Sequence, residues 1–328
     1  MNRLAPLIGL LLFTLGVTAA APFIGGEPIG PGALWGAADP GAVDILWQLR
    51  IPRVVVALLA GAGLAVSGMA FQAMFRNPLA TPFTLGTSSG AALGATLCIH
   101  LGWQFNLLGV SAVTACALSG AVLSIVLVYG LSRAREGFST ASMLLAGVAV
   151  SFFFSSLILL LQYLSDFTRT FRMIRWVMGG LDRVVGYDDP LSILPFVASA
   201  ALVIFYLTRE LNLITTGEEL AAGRGVAVHR TKMLLFFAAS LAVGGVVAVC
   251  GPIGFVGLMA PHICRLLVGA DHRVLAPAAL LFGGGFLVAC DTVARTVIAP
   301  TELPVGIITA LLGGPFFLWL LLSNRRLA

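Results

Sequence analysis

Charge is what this chain has least of. Of its 328 residues only 10% are Asp, Glu, Lys or Arg, whereas an ordinary soluble domain carries about 25%. The shortage is uneven as well. None of these four residue types occurs over 77–132, 137–165 or 233–264, and further uncharged runs cover 54–75, 190–208, 274–290 and 303–324. With 59% hydrophobic residues and a mean hydropathy of +1.02, too little polar sequence remains to cover those runs with a water-facing surface. A soluble globular protein is thereby excluded. Backbone groups inside hydrocarbon must be satisfied within their own segment, so apolar runs of about 20 residues that span it are helices.

Other absences narrow the chemistry. Lysine occurs once, at Lys232, and no G-x-x-x-x-G-K-[ST] run exists, so no loop of this chain cradles a nucleoside triphosphate. The histidines, at 100, 229, 262 and 272, never stand at metal-ligand spacing. His262, in Ala260-Pro261-His262, reads as a packing or helix-end residue. Cys98, Cys116, Cys250, Cys264 and Cys290 make no C-x-x-C pair and fall in or beside apolar runs, where cysteine acts as a small packing residue. No catalytic residue, no metal ligand and no cofactor bound by this chain is expected. Carboxylates are nearly missing from the apolar runs too. Thirteen of the fourteen fall in predicted loops, and only Asp291 approaches a span. It stands four residues before Arg295, on the same helix face. Ionisable groups inside a membrane mark proton relays and ion paths, so their scarcity points to an external source of energy.

What is present is a series of ten apolar segments, at 4–23, 53–72, 83–101, 109–131, 142–164, 190–208, 233–250, 254–268, 274–292 and 304–322. The expected fold is all-α: one polytopic transmembrane domain over 1–328. The first segment, after Met1-Asn2-Arg3 and ending in the small residues 17–21, has the look of a signal peptide or of a first span. Its length and the consistent loop alternation that it gives favour the span. With the N-terminus inside, twelve basic residues lie on the inner side (Arg3, Arg76, Arg133, Arg135, Arg209, Arg224, Arg230, Lys232, Arg265, Arg273, Arg325 and Arg326). Seven lie outside (Arg50, Arg53, Arg169, Arg172, Arg175, Arg183 and Arg295). The bias follows the positive-inside rule and puts both termini in the cytoplasm. The net charge of +5 is therefore loop charge, and nucleic acid is not an expected partner. Seven outer arginines nevertheless exceed what orientation requires.

Small residues recur at packing intervals. Gly86, Gly90 and Gly94 form overlapping G-x-x-x-G steps, Gly61/Ala65 and Gly63/Ser67 repeat the spacing, and Gly283-Gly284-Gly285 adds a further site. In lipid, close backbone approach is what holds helices together. Two polar segments interrupt the apolar series. In 165–189, outside, Arg169, Arg172 and Arg175 recur every third residue, which suits a short helix on the membrane surface. In 209–232, inside, Thr216 is a candidate N-cap with Glu219 three residues on. A short amphipathic helix there is either a docking element or a solvated connector.

Taken in order, several short runs are similar to one family. They are Leu49-Arg50-Ile51-Pro52-Arg53, Gly68-Met69-Ala70-Phe71-Gln72 leading to Asn77-Pro78-Leu79-Ala80, and Leu85-Gly86-Thr87-Ser88-Ser89-Gly90-Ala91. They continue with Leu144-Leu145-Ala146-Gly147-Val148, Gly251-Pro252-Ile253-Gly254-Phe255-Val256-Gly257-Leu258 with Pro261-His262 and Arg265, and Glu302-Leu303-Pro304-Val305-Gly306 through Gly313-Gly314-Pro315-Phe316. Over nearly its full length the chain resembles the permease subunits of FecCD-type ABC importers, the membrane components for iron-siderophore, haem and vitamin B12 uptake. The resemblance implies the type II ABC importer permease fold and a homodimer with one path on its two-fold axis. It also implies two cytoplasmic ABC ATPase subunits that bind the ATP, an extracytoplasmic substrate-binding protein, and a home in the cytoplasmic (inner) membrane among its lipids. By the same resemblance, Arg50, Arg53 and Arg295 would meet carboxylates of the binding protein. Glu218, Glu219, Leu220, Ala221, Gly223 and Gly225 would couple to the ATPase, although Ala222-Gly223-Arg224 departs from the family's more usual Arg-Ser-Leu. Asn77, Pro78, Leu79, Leu85, Thr87 and Ser88 would belong to the path or its gate. The cargo implied is an iron chelate, with vitamin B12 as the alternative. From the residues alone, an ion-coupled secondary transporter is the rival class and a membrane-embedded enzyme the third.

Overall fold

The computed structural model describes residues 4–27, 29–36, 39–107, 109–133 and 140–323. Arg3, Arg135, Arg325 and Arg326 of the inner set lie outside the described residues. In order, the helices are α1 (Leu4–Ala20), α2 (Pro40–Asp44), α3 (Ile51–Phe75), α4 (Thr87–Leu101), α5 (Ala112–Arg133), α6 (Thr140–Tyr163), α7 (Phe167–Val177) and α8 (Asp188–Tyr206). They continue as α9 (Thr208–Thr216), α10 (Glu218–Gly223), α11 (Val228–Cys250), α12 (Val256–Val268), α13 (His272–Thr296) and α14 (Val305–Ser323). A wide helical turn, Ile45–Arg50, joins α2 to α3. The strand content among the described residues is a two-residue antiparallel hairpin, β1 (Asn106–Leu107) with β2 (Val110–Ser111).

Ten of these helices occupy the ten expected apolar positions. Among the described residues seven helical stretches are long and apolar enough to cross a membrane, α12 and α14 are shorter apolar helices, and α4 is a helix of 15 residues. α3 is the central post, buried along most of its length, with α13, α11 and α8 packed around it. The outer helices leave their bulky apolar side chains uncovered, Leu12 on α1, Phe152 on α6 and Trp319 on α14 among them. Exposed apolar surface on that scale marks contact with lipid or with another protein.

The packing follows the small residues. Gly61 meets the backbone of Gly283 between α3 and α13, and Gly90 and Gly94 meet Gly120 and Cys116 between α4 and α5. A Cβ on Gly68 would collide with the carbonyl of Gly257, so α3 and α12 touch backbone to backbone. The cysteines are free, four of them buried, as packing residues should be. His262 packs edge-on against Phe316 at 5.8 Å.

Two helices are short because the chain re-enters the bundle before them. Residues 76–86 turn back after α3, with Arg76 at φ 49°, and 251–255 do so after α11, with Phe255 at φ 66°. Between these segments lies an apolar cavity of about 160 Å³ lined by Leu64, Pro82, Phe83, Ile253, Phe255 and others. At one end of the bundle the short helix expected within 165–189 is present as α7, capped by Asp166, whose carboxylate accepts from the Arg169 N–H at 2.9 Å. That bond holds the Asp166 carboxyl below its ordinary pKa. Met173 and Trp176 face inward, and Arg169, Arg172 and Arg175 face out.

Candidate functional site

Three of the outer arginines converge at the end of the bundle that carries α7. Arg53, in the first turn of α3, donates from Nε and Nη2 to the Asp291 carboxylate at 2.9–3.1 Å, and from Nη1 to Glu302 at 2.6 Å. Arg295, one turn beyond Asp291 on α13, stands 3.3 Å from the same carboxylate and donates to the carbonyl of Ala21 at 3.2 Å. Arg50 donates to the carbonyls of Pro22 and Glu27 at 3.1 and 2.5 Å. Two guanidiniums and two carboxylates thus form a neutral cluster, and a third guanidinium ties down the segment after α1. Buried charges persist only when paired in this way.

The three arginines expected to meet carboxylates of a binding protein are drawn in at this end of the bundle rather than standing free. Arg50, Arg53 and Arg295 are only 8%, 8% and 5% exposed, and each is already bonded internally. They do line a cavity of about 340 Å³ together with Gly25, Gly26 and Glu302. The exposed outer cations are those of α7 and Arg183. Arg175 pairs with Asp182 at 2.8 Å. Arg183 lies over the Trp176 ring at 5.9 Å, and desolvation of its packed side lowers its pKa. These groups line a neighbouring cavity of about 330 Å³ with Arg172 and Asp189.

The opposite end of the bundle presents α10. Gly217, at φ 139°, breaks the chain between α9 and α10, a conformation open to glycine and strained for any side chain. Here the capping expectation fails. α9 continues through Thr216, whose hydroxyl donates back to the Leu213 carbonyl at 2.8 Å, so Gly217 is the residue before α10 and no side chain caps it. Glu218 instead pairs with Lys232 on α11 at 2.6 Å, which clamps the helix to the bundle. Ala221 is buried beneath it, while Glu219, Leu220 (59% exposed) and Gly223 face away. Gly225 closes the turn that follows, its N–H donating to the Ala222 carbonyl at 2.9 Å.

The residues expected at a path or gate separate into two groups. Asn77, Pro78 and Leu79 form an exposed turn below α3, with the Asn77 carboxamide accepting from the Leu79 N–H at 2.9 Å. Leu85, Thr87 and Ser88 are buried, Leu85 against Gly147 of α6 and Thr87 near Gly244 of α11, on either side of Gly86, whose carbonyl accepts from the Ser124 hydroxyl of α5 at 2.8 Å.

Some of the site is not legible in the sequence. The bidentate Arg53–Asp291 pair is hidden by 238 residues of separation, though a lone carboxylate in a span implies a cation beyond its helical neighbour. Asn212, which accepts from the His272 N–H at 2.9 Å and donates to Asp271 at 2.8 Å, carries no signal.

A bundle of apolar helices around a re-entrant centre, with its charges among the described residues gathered toward two ends, is the architecture of a polytopic membrane protein. The FecCD transport family matches residues 10–323, and the chain belongs to it. It is 38% identical over 323 residues to the hemin transport system permease protein HmuU of Yersinia pestis, covering 98% of this chain and 96% of that one. It is 39% identical over 321 residues to the vitamin B12 import system permease protein BtuC of Salmonella typhi, covering 98% and 95%. A solved structure described as an inward-facing conformation of a metal-chelate type ABC transporter matches with a TM-score of 0.86 at 32% identity, over 97% of this chain and 98% of the other. The protein is therefore a multi-pass permease subunit of an ABC importer, a transport component.

Proposed function

We propose that this permease carries an iron chelate, of the siderophore or haem class, across the cytoplasmic (inner) membrane with both termini cytoplasmic. It works as a homodimer with two ATPase subunits on the inner side and a substrate-binding protein on the outer side. ATP is bound and hydrolysed on the ATPase subunits, and the permease holds no cofactor. The observation that carries the reading is α10. A six-residue helix anchored by Ala221 and the Glu218–Lys232 pair, yet exposing Leu220, is shaped to transmit motion from a docked protein.

The outer end supports the receiving role. Carboxylates of the binding protein would enter the cavity lined by Arg50, Arg53 and Arg295 and compete with Glu302 for Arg53. Charge at such a rim acts mainly on capture rate and orientation. The path would run by the exposed turn at Asn77–Leu79 and the apolar cavity between the re-entrant segments. An iron chelate is supported by the hemin permease, which this chain matches nearly end to end, and by the solved transporter described as of metal-chelate type. Vitamin B12 is the second reading, on the equal match to BtuC.

Uptake by proteoliposomes holding the permease with its cognate ATPase and binding protein tests both levels. Labelled haem, a ferric siderophore and cobalamin are offered in parallel. Accumulation of one iron chelate that needs ATP on the α10 side and ignores ionophores is expected. Accumulation of cobalamin alone would transfer the cargo to the second reading, and uptake driven by an ion gradient without ATP would overturn the mechanism.

A further inference from the structure

Three further cations gather beside α10. Arg209 from α9, Arg224 from the turn after α10 and Arg273 from the start of α13 line one open cavity of about 520 Å³, with Asn212 and Leu213 as its floor. All three are exposed, and none has an ion-pair partner among the described residues. No carboxylate lines the cavity among those residues. Two acids adjoin the arginines in sequence: Glu210, beside Arg209, has one carboxylate oxygen buried and does not line the cavity, and Asp271 is held by the Asn212 amide at 2.8 Å and by the Arg273 N–H at 3.1 Å.

The backbone under these arginines is fixed while their head groups are not. Asn212 stitches α9 to the start of α13 through His272 and Asp271, so Arg209 and Arg273 start from a common rigid base. Arg224 follows α10 directly, and its N–H donates to the carbonyls of Leu220 and Ala221. Like charges sharing one cavity repel one another, and that repulsion is relieved when an anion enters. Guanidinium forks suit carboxylates and phosphates in two-point contact.

We infer that this basic pocket receives an acidic segment of the ATPase subunit, one presenting Asp or Glu side chains next to the cleft that takes α10. The inference rests on the proposed docking of α10 and adds the chemistry of the partner surface. Continuity favours a protein occupant, because Arg224 belongs to the same turn as α10 and would be covered with it. An anionic phospholipid headgroup has the same local chemistry and is an outcome of the test.

The experiment measures ATPase binding to the detergent-solubilised full-length permease, and substrate-stimulated hydrolysis in liposomes. The variants are Arg209→Gln/Arg273→Gln, Arg209→Glu/Arg273→Glu and, separately, Leu220→Asp. Affinity for the ATPase should fall by about tenfold or more in the Glu pair and by less in the Gln pair, as removal of charge partners at a rim predicts. The steep loss of parental affinity with added salt should flatten in both. Parental affinity and salt dependence in the Glu pair, with Leu220→Asp uncoupled, would overturn the pocket while leaving α10 as the docking element. A Leu220→Asp protein that binds and couples normally would overturn the α10 reading itself. A Glu pair that keeps the ATPase but loses bound phosphatidylglycerol or cardiolipin by native mass spectrometry would give the pocket to lipid.

Discussion

At the scale of single residues, Asp291 is the most exposed to test. Its carboxylate is 1% accessible and answers two guanidiniums, Arg53 in three contacts of 2.9–3.1 Å and Arg295 at 3.3 Å. Asp291→Asn keeps the volume and removes the negative charge, so Arg295 loses its ion contact and Arg53 keeps only the half-exposed Glu302. Removing one partner of a buried pair costs about 3–5 kcal/mol, because the other charge stays buried without compensation. The variant should show a clearly lower melting temperature in detergent. Adding Arg295→Leu should recover part of the loss, since the stranded cation is then gone. An Asp291→Asn protein as stable as the parent would mean that the cluster is not a structural unit. Glu302→Gln, which touches one exposed edge of the same cluster, should be milder.

At the scale of helices, the small residues decide which elements can touch. Gly68 on α3 and Gly257 on α12 are in backbone contact, whereas Gly130 on α5 has open space where a Cβ would be. Gly68→Ala must push α12 away and should cost about 1–3 kcal/mol, the usual range for overpacking. Gly130→Ala should be neutral or stabilising by up to about 1 kcal/mol, from helix propensity alone. Thermal unfolding of the two variants side by side checks this; equal melting temperatures would contradict the close α3–α12 approach. Such spacing is legible in the amino-acid sequence, as are the ten apolar helices and the short α7 with its arginine period. Where each helix stops is not. The α9–α10 break depends on Gly217 adopting φ 139°, and a Thr-x-x-Glu spacing there mimics a cap that the continuing α9 does not leave free. Likewise, the separation of Asn77–Leu79 from Leu85–Ser88 follows from the chain turning back into the bundle, which a run of uncharged residues does not encode. The outer arginines are recognisable by type but not by aspect, because exposure depends on partners such as Asp291 and the Ala21 carbonyl that arrive from distant segments.

For the molecule as a whole, the distribution of charge makes an orientation argument that labelling can settle. The end with α7 exposes Arg169, Arg172, Arg175 and Arg183, and the end with α9 and α10 exposes Arg209, Arg224 and Arg273. Both ends are basic, so net charge distinguishes them poorly. The count over all loops, twelve against seven, favours the α10 end as cytoplasmic. The native cysteines offer a quiet background, four being buried and Cys116 partly so. Arg175→Cys and Leu220→Cys each place one exposed thiol at an opposite end. In intact cells a membrane-impermeant maleimide should modify the thiol at position 175 and spare the one at position 220; in inverted vesicles the pattern should reverse. Modification of the 220 thiol from outside intact cells would invert the molecule, and α10 could then no longer meet an ATPase at all. That result would leave the fold and the family untouched. It would remove the direction of transport, since import by this architecture requires the arginine-lined cavity at Arg50, Arg53 and Arg295 to face the delivered cargo and α10 to face the motor.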